Sequence, residues 1–218
     1  MLRLLLFHYS AFTGLLPALA AFLRYRKSAA NYKPFFVFLW AALLGDILNV
    51  SFTELLHTST VFSNTYVLVE FLVILWVFYR WNQSLKKTRY WLLGLGGLVI
   101  WILDNFVWHT ISSGINSIYR IYYCIVIVFL SIDLINKLII FERKKLVRNA
   151  MFLVCVTFTF YFSYKAYVES FYVLKFSFSK GFLLTVFAIM RIINLLSNLM
   201  YTIAVLCIPK KQEFYMRR

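Results

Sequence analysis

The sequence predicts an all-α fold, a polytopic membrane protein built as a bundle of seven transmembrane helices. Hydrophobic residues make up 62% of the 218 residues and charged residues only 14%, whereas soluble domains are about 45–50% apolar. Each apolar stretch is close to the roughly 20 residues that a helix needs to cross a bilayer core of about 30 Å. Only helices and closed barrels satisfy the backbone inside a bilayer, and uniformly apolar runs of this length predict helices.

The seven spans follow one another with short connections. The predicted spans and the basic tail that follows them are 4–23, 34–56, 62–80, 90–108, 118–140, 150–174 and 182–208, then 209–218.

The first span also has features of a cleavable secretory signal, because Arg3 precedes an apolar run that ends near the small residues of 18–20. The basic residues within 24–27 follow this run closely. Such residues are expected behind a helix whose C-terminal end stays in the cytoplasm, so we expect the first span to be retained.

In the fourth span, Gly94, Gly96 and Gly97 lack the Lys-Ser/Thr of a phosphate loop and predict close helix packing.

Basic residues alternate from one connection to the next. The first, third and fifth connections with the tail carry 16 of the 23 Lys and Arg residues at or beside the span ends. The connections 57–61 and 109–117 carry none, and the sixth connection has only Lys175 and Lys180. The positive-inside rule then predicts an N-terminus outside and a C-terminus in the cytoplasm.

The same charges indicate the partners. We expect a multi-pass membrane protein whose basic inner loops meet anionic lipid or a cytoplasmic protein partner. The net charge of +15 would suggest nucleic acid in a soluble protein. Here the basic residues lie mainly between apolar spans, so nucleic acid is not an expected partner. The sequence does not decide whether the protein forms an oligomer.

Ionisable side chains inside the spans are the main functional signal, because a buried charge in a membrane is costly and usually faces the bundle interior. Glu70, Lys165 and Arg191 each lie nine or ten residues from the outer end of their span, a depth of about 14 Å. We therefore expect these three charges to form one polar cluster, in which Glu70 holds Arg191 or, as the alternative, Lys165.

Two stripes of polar residues support an inward-facing cavity. Asp46, Asn49, Thr53 and His57 share one face of the second helix, and a stripe that begins at Arg191 shares one face of the seventh. They predict a polar cavity in the outer half of the bundle. The alternative is a hydrogen-bond network that only fixes packing, with bonds of about 0.6 kcal/mol each. The candidate ligand-binding residues are Asp46, Asn49, Glu70, Asp104, Lys165, Arg191, Asn194 and Asn198.

Two pairs with i,i+4 spacing have a simpler interpretation. Lys165 with Glu169, and Asp133 with Lys137, are each expected to neutralise one another along a single helix.

Metal and catalytic chemistry have weak signals. Glu54, His57 and His109 end their spans on the predicted outer side and would offer zinc a carboxylate and two imidazoles. Three histidines in 218 residues are sparse, so we predict no metal and no cofactor. No hydrolase or metalloprotease motif occurs. A retinal protein would need a lysine within the seventh span, and 182–208 contains none.

Short motifs along the chain carry a resemblance to one family. They are Leu15-Leu16-Pro17 before the basic residues of 24–27, Asn64-Thr65-Tyr66 before Val69-Glu70-Phe71, and the 193–198 segment before Tyr201. In these motifs the chain resembles an uncharacterised family of seven-helix inner-membrane proteins common in Bacteroidetes. The resemblance implies the seven-helix fold, a location in a bacterial inner (plasma) membrane and no established activity. It draws attention to Glu70, Asn194 and Asn198.

These observations favour a non-enzymatic seven-helix sensor or regulatory protein that binds a small or lipidic ligand in the outer-half cavity. One alternative is a membrane-embedded lipid-modifying enzyme, with Asp46, Glu70, Asp104 or His57 as acid or base. Another is an accessory membrane protein of a phage-defence or CRISPR system.

Overall fold

Helices form nearly all of the chain that the computed structural model describes, which is residues 13–82, 86–112, 114, 116–141, 146–174 and 179–209. The helices are α1 Leu15–Arg24, α2 Lys33–Leu56, α3 Thr60–Trp81, α4 Lys87–Ile102, α5 Ser117–Phe141, α6 Ala150–Leu174 and α7 Lys180–Cys207. Helix α4 continues as a π-helical segment, Leu103–Trp108.

Six helices in the described part of the chain, α2 to α7, are long and apolar enough to cross a membrane. With the π-helical segment counted as part of α4, their bounds lie within three residues of the predicted spans. This agrees with the prediction of a helical, multi-pass membrane protein. Helix α1 has 10 residues; residues 4–12 of the predicted first span lie outside the described residues, as does most of the predicted tail.

Local signals explain where several helices begin and end. Pro34 occupies the first turn of α2, where a missing N–H has no consequence. His57 ends α2 in the left-handed region, with φ 53°. Asn149 caps α6 by accepting from the N–H groups of Met151 and Phe152 at 2.8 and 3.2 Å.

The helices pack in chain order, and α1 closes the ring by packing on both α2 and α7. The Arg24 guanidinium strengthens this closure. It donates to the carbonyls of Leu206, Ile208 and Val205 at 2.6, 3.2 and 3.3 Å. Val205 and Leu206 lie in the last turn of α7 and Ile208 caps it, where helix carbonyls lack the usual partners of the helix interior. A cation there also opposes the negative end of the helix dipole.

Aromatic side chains fill the centre of the bundle. The fully buried rings include Phe35, Phe71, Phe78, Phe158 and Phe162. Large apolar side chains also cover the outside: Trp91 and Phe160 are each 72% exposed. An exterior of this kind is expected of a protein whose solvent is lipid.

Two glycines allow helices to approach closely. Gly97 on α4 lies under the Phe71 ring of α3, and a Cβ at Gly97 would come within 2.5 Å of that ring. This confirms the predicted packing role for Gly97. Gly45 on α2 is covered by the Tyr66 ring of α3, which occupies the space that a Cβ would need. Both rings come from α3, so α3 packs directly against the backbones of its two neighbours.

We expect Gly45→Ala to destabilise the protein by about 1–3 kcal/mol, because the added methyl forces Tyr66 and α3 outward. Thermal unfolding in detergent measures the effect. Tyr66→Leu in the same chain should recover part of the loss. The control is Gly181→Ala, since nothing lies within 4 Å of a Cβ there. Equal losses at positions 45 and 181 would contradict the proposed contact.

Candidate functional site

A cavity of about 240 Å³ lies between helices α1, α2, α3, α5, α6 and α7. We call it the central cavity. It begins at the end of the bundle where α2 ends and α3 begins, near Ser63, and its wall extends inward as far as Phe38 on α2 and Tyr201 on α7. The predicted site residues in its wall are Asp46, Asn49, Glu70, Lys165, Asn194 and Asn198. Six of the eight ligand-binding residues predicted from the sequence therefore lie around one cavity.

An ion pair between α3 and α6 crosses the central cavity. The Lys165 ammonium lies 3.3 Å from the Glu70 carboxylate, and both side chains are largely buried. The Tyr123 hydroxyl donates to the same carboxylate oxygen at 3.0 Å. Glu70 is ten residues into α3 and Lys165 nine residues from the end of α6, so the matched depth predicted from the sequence does bring them together.

Aromatic rings surround the ammonium of this pair. Its nitrogen lies 5.2 Å from the centre of the Tyr123 ring and 5.7 Å from the centres of the Tyr161 and Phe162 rings. Ring faces attract a cation, and the attraction grows where water is excluded. Lys165 is thus stabilised in place by one carboxylate and three rings, which is a geometry suited to a fixed charge.

A second pair, which the sequence analysis missed, connects α5 to α6. The Arg120 guanidinium lies 3.7 Å from Glu169, whose other oxygen accepts from the Ser117 hydroxyl at 2.6 Å. Arg120 also donates to Ser63 at 2.8 Å and lines the central cavity. Arg120 and Glu169 lie three residues after the start of α5 and five before the end of α6. This matched depth is a signal from which the sequence could have predicted the pair.

The predicted i,i+4 pair on α6 is therefore wrong. Lys165 and Glu169 bind partners on different helices, Glu70 on α3 and Arg120 on α5. The other i,i+4 pair is confirmed: Lys137 lies 2.6 Å from Asp133. Asn82 joins it, donating to the same Asp133 oxygen at 2.7 Å.

Two wall residues come from the polar stripe on α2, and neither of them belongs to an ion pair. Asp46 interacts electrostatically with both Glu70 and Lys165. Within the described ranges, however, no cation lies at ion-pair distance from its carboxylate. Asn49, one turn further along α2, has a buried Oδ1 without a hydrogen-bond partner. On α7, the Asn198 amide donates to the Thr13 hydroxyl at 2.8 Å.

The remaining two candidates lie outside the wall of the central cavity. Asp104, in the π-helical segment, is fully buried; it accepts from the Tyr119 N–H at 2.8 Å and contacts His109 at 3.0 Å. It joins α4 to the start of α5. Arg191 is partly buried on α7 and is not among the wall residues. Glu70 thus has Lys165, not Arg191, as its ion-pair partner, and the predicted cluster contains two of its three members.

Asn64 organises the end of the bundle beside Ser63 and Arg120. Its amide donates to the carbonyls of Ile111 and Gly114 at 3.0 and 2.9 Å, and its Oδ1 accepts from the Asn116 N–H at 3.3 Å. One side chain on α3 thereby holds the connection between α4 and α5. The motif that carries Asn64 therefore has a structural use beside the central cavity.

No group of three His, Cys, Asp or Glu side chains in the described part of the chain is placed to hold a metal ion. Of the zinc candidates, Glu54 and His57 are exposed, and His109 contacts Asp104.

A second, apolar cavity of about 470 Å³ lies between α3 and α4, on the outside of the bundle. Gly94 leaves space there, and Trp76, Trp91 and Leu95 line it. These side chains are each at least 45% exposed, so in a bilayer this groove faces acyl chains.

Comparisons with protein-family models, with curated proteins and with solved structures found no match. The resemblance to the seven-helix Bacteroidetes proteins therefore stays a prediction.

We expect Glu70→Gln and Lys165→Met to be strongly non-additive in their effects on stability. Each single change strands a buried charge, a loss of about 3–5 kcal/mol, whereas the double change leaves none at this point. Detergent melting temperatures of the singles and the double measure the coupling. The matched control is Lys165→Met combined with Glu169→Gln, which should show the smaller coupling; the reverse order would mean that Glu169 is the true partner.

Proposed function

We propose that this protein is a seven-helix membrane sensor or regulatory protein that binds a small ligand in the central cavity. The observation that carries the proposal is a partly open cavity of about 240 Å³ whose wall includes buried polar atoms without partners. These atoms are the Asn49 Oδ1 and the Arg120 Nε. Buried polar groups are almost always hydrogen-bonded, so such atoms indicate a missing partner.

A network that only fixes packing is the weaker explanation. Packing would bring the polar side chains into contact with one another, as it does for Asn82 and Asp133. Asp46 and Asn194 instead face a space shared by six helices. The volume favours a small ligand, because pockets for drug-sized molecules are roughly 300–1,000 Å³.

The lipid-modifying enzyme remains a second candidate because two carboxylates, Asp46 and Glu70, share the cavity. Glu70 is engaged by Lys165 and Tyr123, so Asp46 is the acid or base that this alternative would use. The other two proposed acid/base residues, His57 and Asp104, lie outside the wall.

We further propose an N-terminus outside and a C-terminus in the cytoplasm of a bacterial inner membrane. The support is the alternation of basic connections, which would place Lys86 beside anionic lipid and the α2–α3 connection outside. In this orientation the central cavity lies in the outer half, where an external or membrane-derived ligand would reach it.

Filling the cavity tests the binding function. We expect Ala42→Phe, in the cavity wall, to remove a small molecule that co-purifies with the wild-type protein, as native mass spectrometry and solvent extraction would detect. Leu44→Phe is the control, since Leu44 lies on the same helix but is 58% exposed on the outside. Matching melting temperatures for the two variants exclude unfolding. Retention of the molecule by Ala42→Phe, or its absence from wild type, would count against the proposal. A chemically altered molecule after incubation, lost in Asp46→Asn, would favour the enzyme.

Membrane-impermeant thiol labelling of whole cells tests the orientation. In a background without the native cysteines Cys124, Cys155 and Cys207, we expect Thr58→Cys to be labelled from outside and Lys86→Cys only after the cells are opened. Both positions are exposed in connections between helices. The opposite pattern would invert the topology.

A further inference from the structure

Four charged side chains, Asp46, Glu70, Arg120 and Lys165, line the central cavity. They are not equivalent. Lys165 is neutralised by Glu70, and Arg120 by Glu169 from behind the wall. Asp46 is the wall carboxylate that no cation of the described chain neutralises. Once the pairs are formed, Asp46 on α2 is the one acidic group of the wall whose negative charge, when it ionises, would have no ion-pair partner in the described chain.

Depth makes this charge significant. Asp46 is ten residues from the end of α2, about 15 Å into the bundle. A carboxylate near the middle of a membrane costs at least about 2.5–3.5 kcal/mol unless it is compensated. The space in front of Asp46 is therefore the place where a compensating positive charge is most stabilising.

A second acceptor lies beside the first. The buried Asn49 Oδ1 has no partner and lies three residues from Asp46 on the same face of α2. A protonated amine has no acceptor capacity and up to three N–H donors, so it matches two adjacent acceptors. The Tyr66 and Tyr161 rings belong to the same wall and offer aromatic faces to a cation.

We propose that the central cavity takes a small organic ammonium compound, whose N–H groups donate to the Asp46 carboxylate and the Asn49 carbonyl oxygen. The Arg120 Nε is an unpartnered donor in the same wall and would donate to an oxygen at the ligand's other end. An amino alcohol has both features. The inference rests on the proposed ligand-binding function, which it deepens by naming the ligand's chemistry.

An amino alcohol can reach the cavity as a free molecule or as the headgroup of phosphatidylethanolamine. Two preparations distinguish these sources: protein in detergent with added ethanolamine, and protein in nanodiscs of phosphatidylethanolamine or of phosphatidylglycerol. Stabilisation by ethanolamine in detergent indicates the free molecule. Stabilisation only in phosphatidylethanolamine nanodiscs, dependent on Asp46, indicates the headgroup.

The variants isolate the proposed contacts. Asp46→Asn keeps the shape and removes the charge, and we expect it to weaken ethanolamine binding at least about tenfold by calorimetry. Asn49→Leu should weaken it by less. Asp133→Asn is the control, because it changes a carboxylate that lies outside the cavity wall and should leave the ethanolamine affinity unchanged. Ethylene glycol, the neutral analogue of ethanolamine, should bind to none of these proteins.

Failure of the inference is distinct from failure of the binding function. If the molecule displaced by Ala42→Phe lacks a cationic nitrogen, or if sodium ions stabilise the protein in place of ethanolamine, the ammonium proposal is overturned while the cavity still binds a ligand. If no molecule or probe responds to Ala42→Phe, both proposals fall.

Discussion

The structure depends on the need to neutralise charges inside an apolar environment. A charge that faces lipid is costly, so a buried charge is most stable beside a partner, and the charges at the centre of the bundle find that partner on another helix. Glu70 and Lys165 meet this need across the centre of the bundle, 3.3 Å apart, with the Tyr123 hydroxyl as a further donor. Because removing either partner would strand the other, this contact sets the relative depth and rotation of α3 and α6.

The other polar contacts repeat this solution at different levels. Arg120 and Glu169 join α5 to α6 near one end of the bundle, and Asp133 with Lys137 contacts Asn82 near the other. Arg24 connects α1 to the last turn of α7. Between these levels, aromatic rings and closely approaching backbones at Gly45 and Gly97 fill the interior. The interhelical contacts therefore hold six helices around a space that none of them fills.

This cavity is a feature of the bundle that helix packing alone does not require. Two neutralised ion pairs lie at its wall. On the α2 side of the wall, the acceptors have no partner in the described chain. The two sides of the cavity therefore differ in their chemistry. On the α3 and α6 side the donors have partners within the protein, whereas on the α2 side the acceptors need a donor from a ligand. Recognition of a ligand amine would use the charge that folding leaves without a partner, so binding and stability would be coupled.

The sequence by itself determined the helices and the faces that matter. Length and apolar content predicted spans within three residues of α2 to α7, with the π-helical segment counted as part of α4, and helical phase with depth predicted six of the cavity residues. It could not determine which charges pair. Local spacing favoured Lys165 with Glu169, whereas the structure joins Lys165 to Glu70 and Glu169 to Arg120. It also counted Asp104 and Arg191 as cavity residues, and it overlooked Arg120 at the start of α5. The physical reason is that span length, phase and depth are properties of a single helix, set by the bilayer and the α-helical repeat. Pairing depends on how each helix is rotated against its neighbours, which only packing between helices distant in the chain decides.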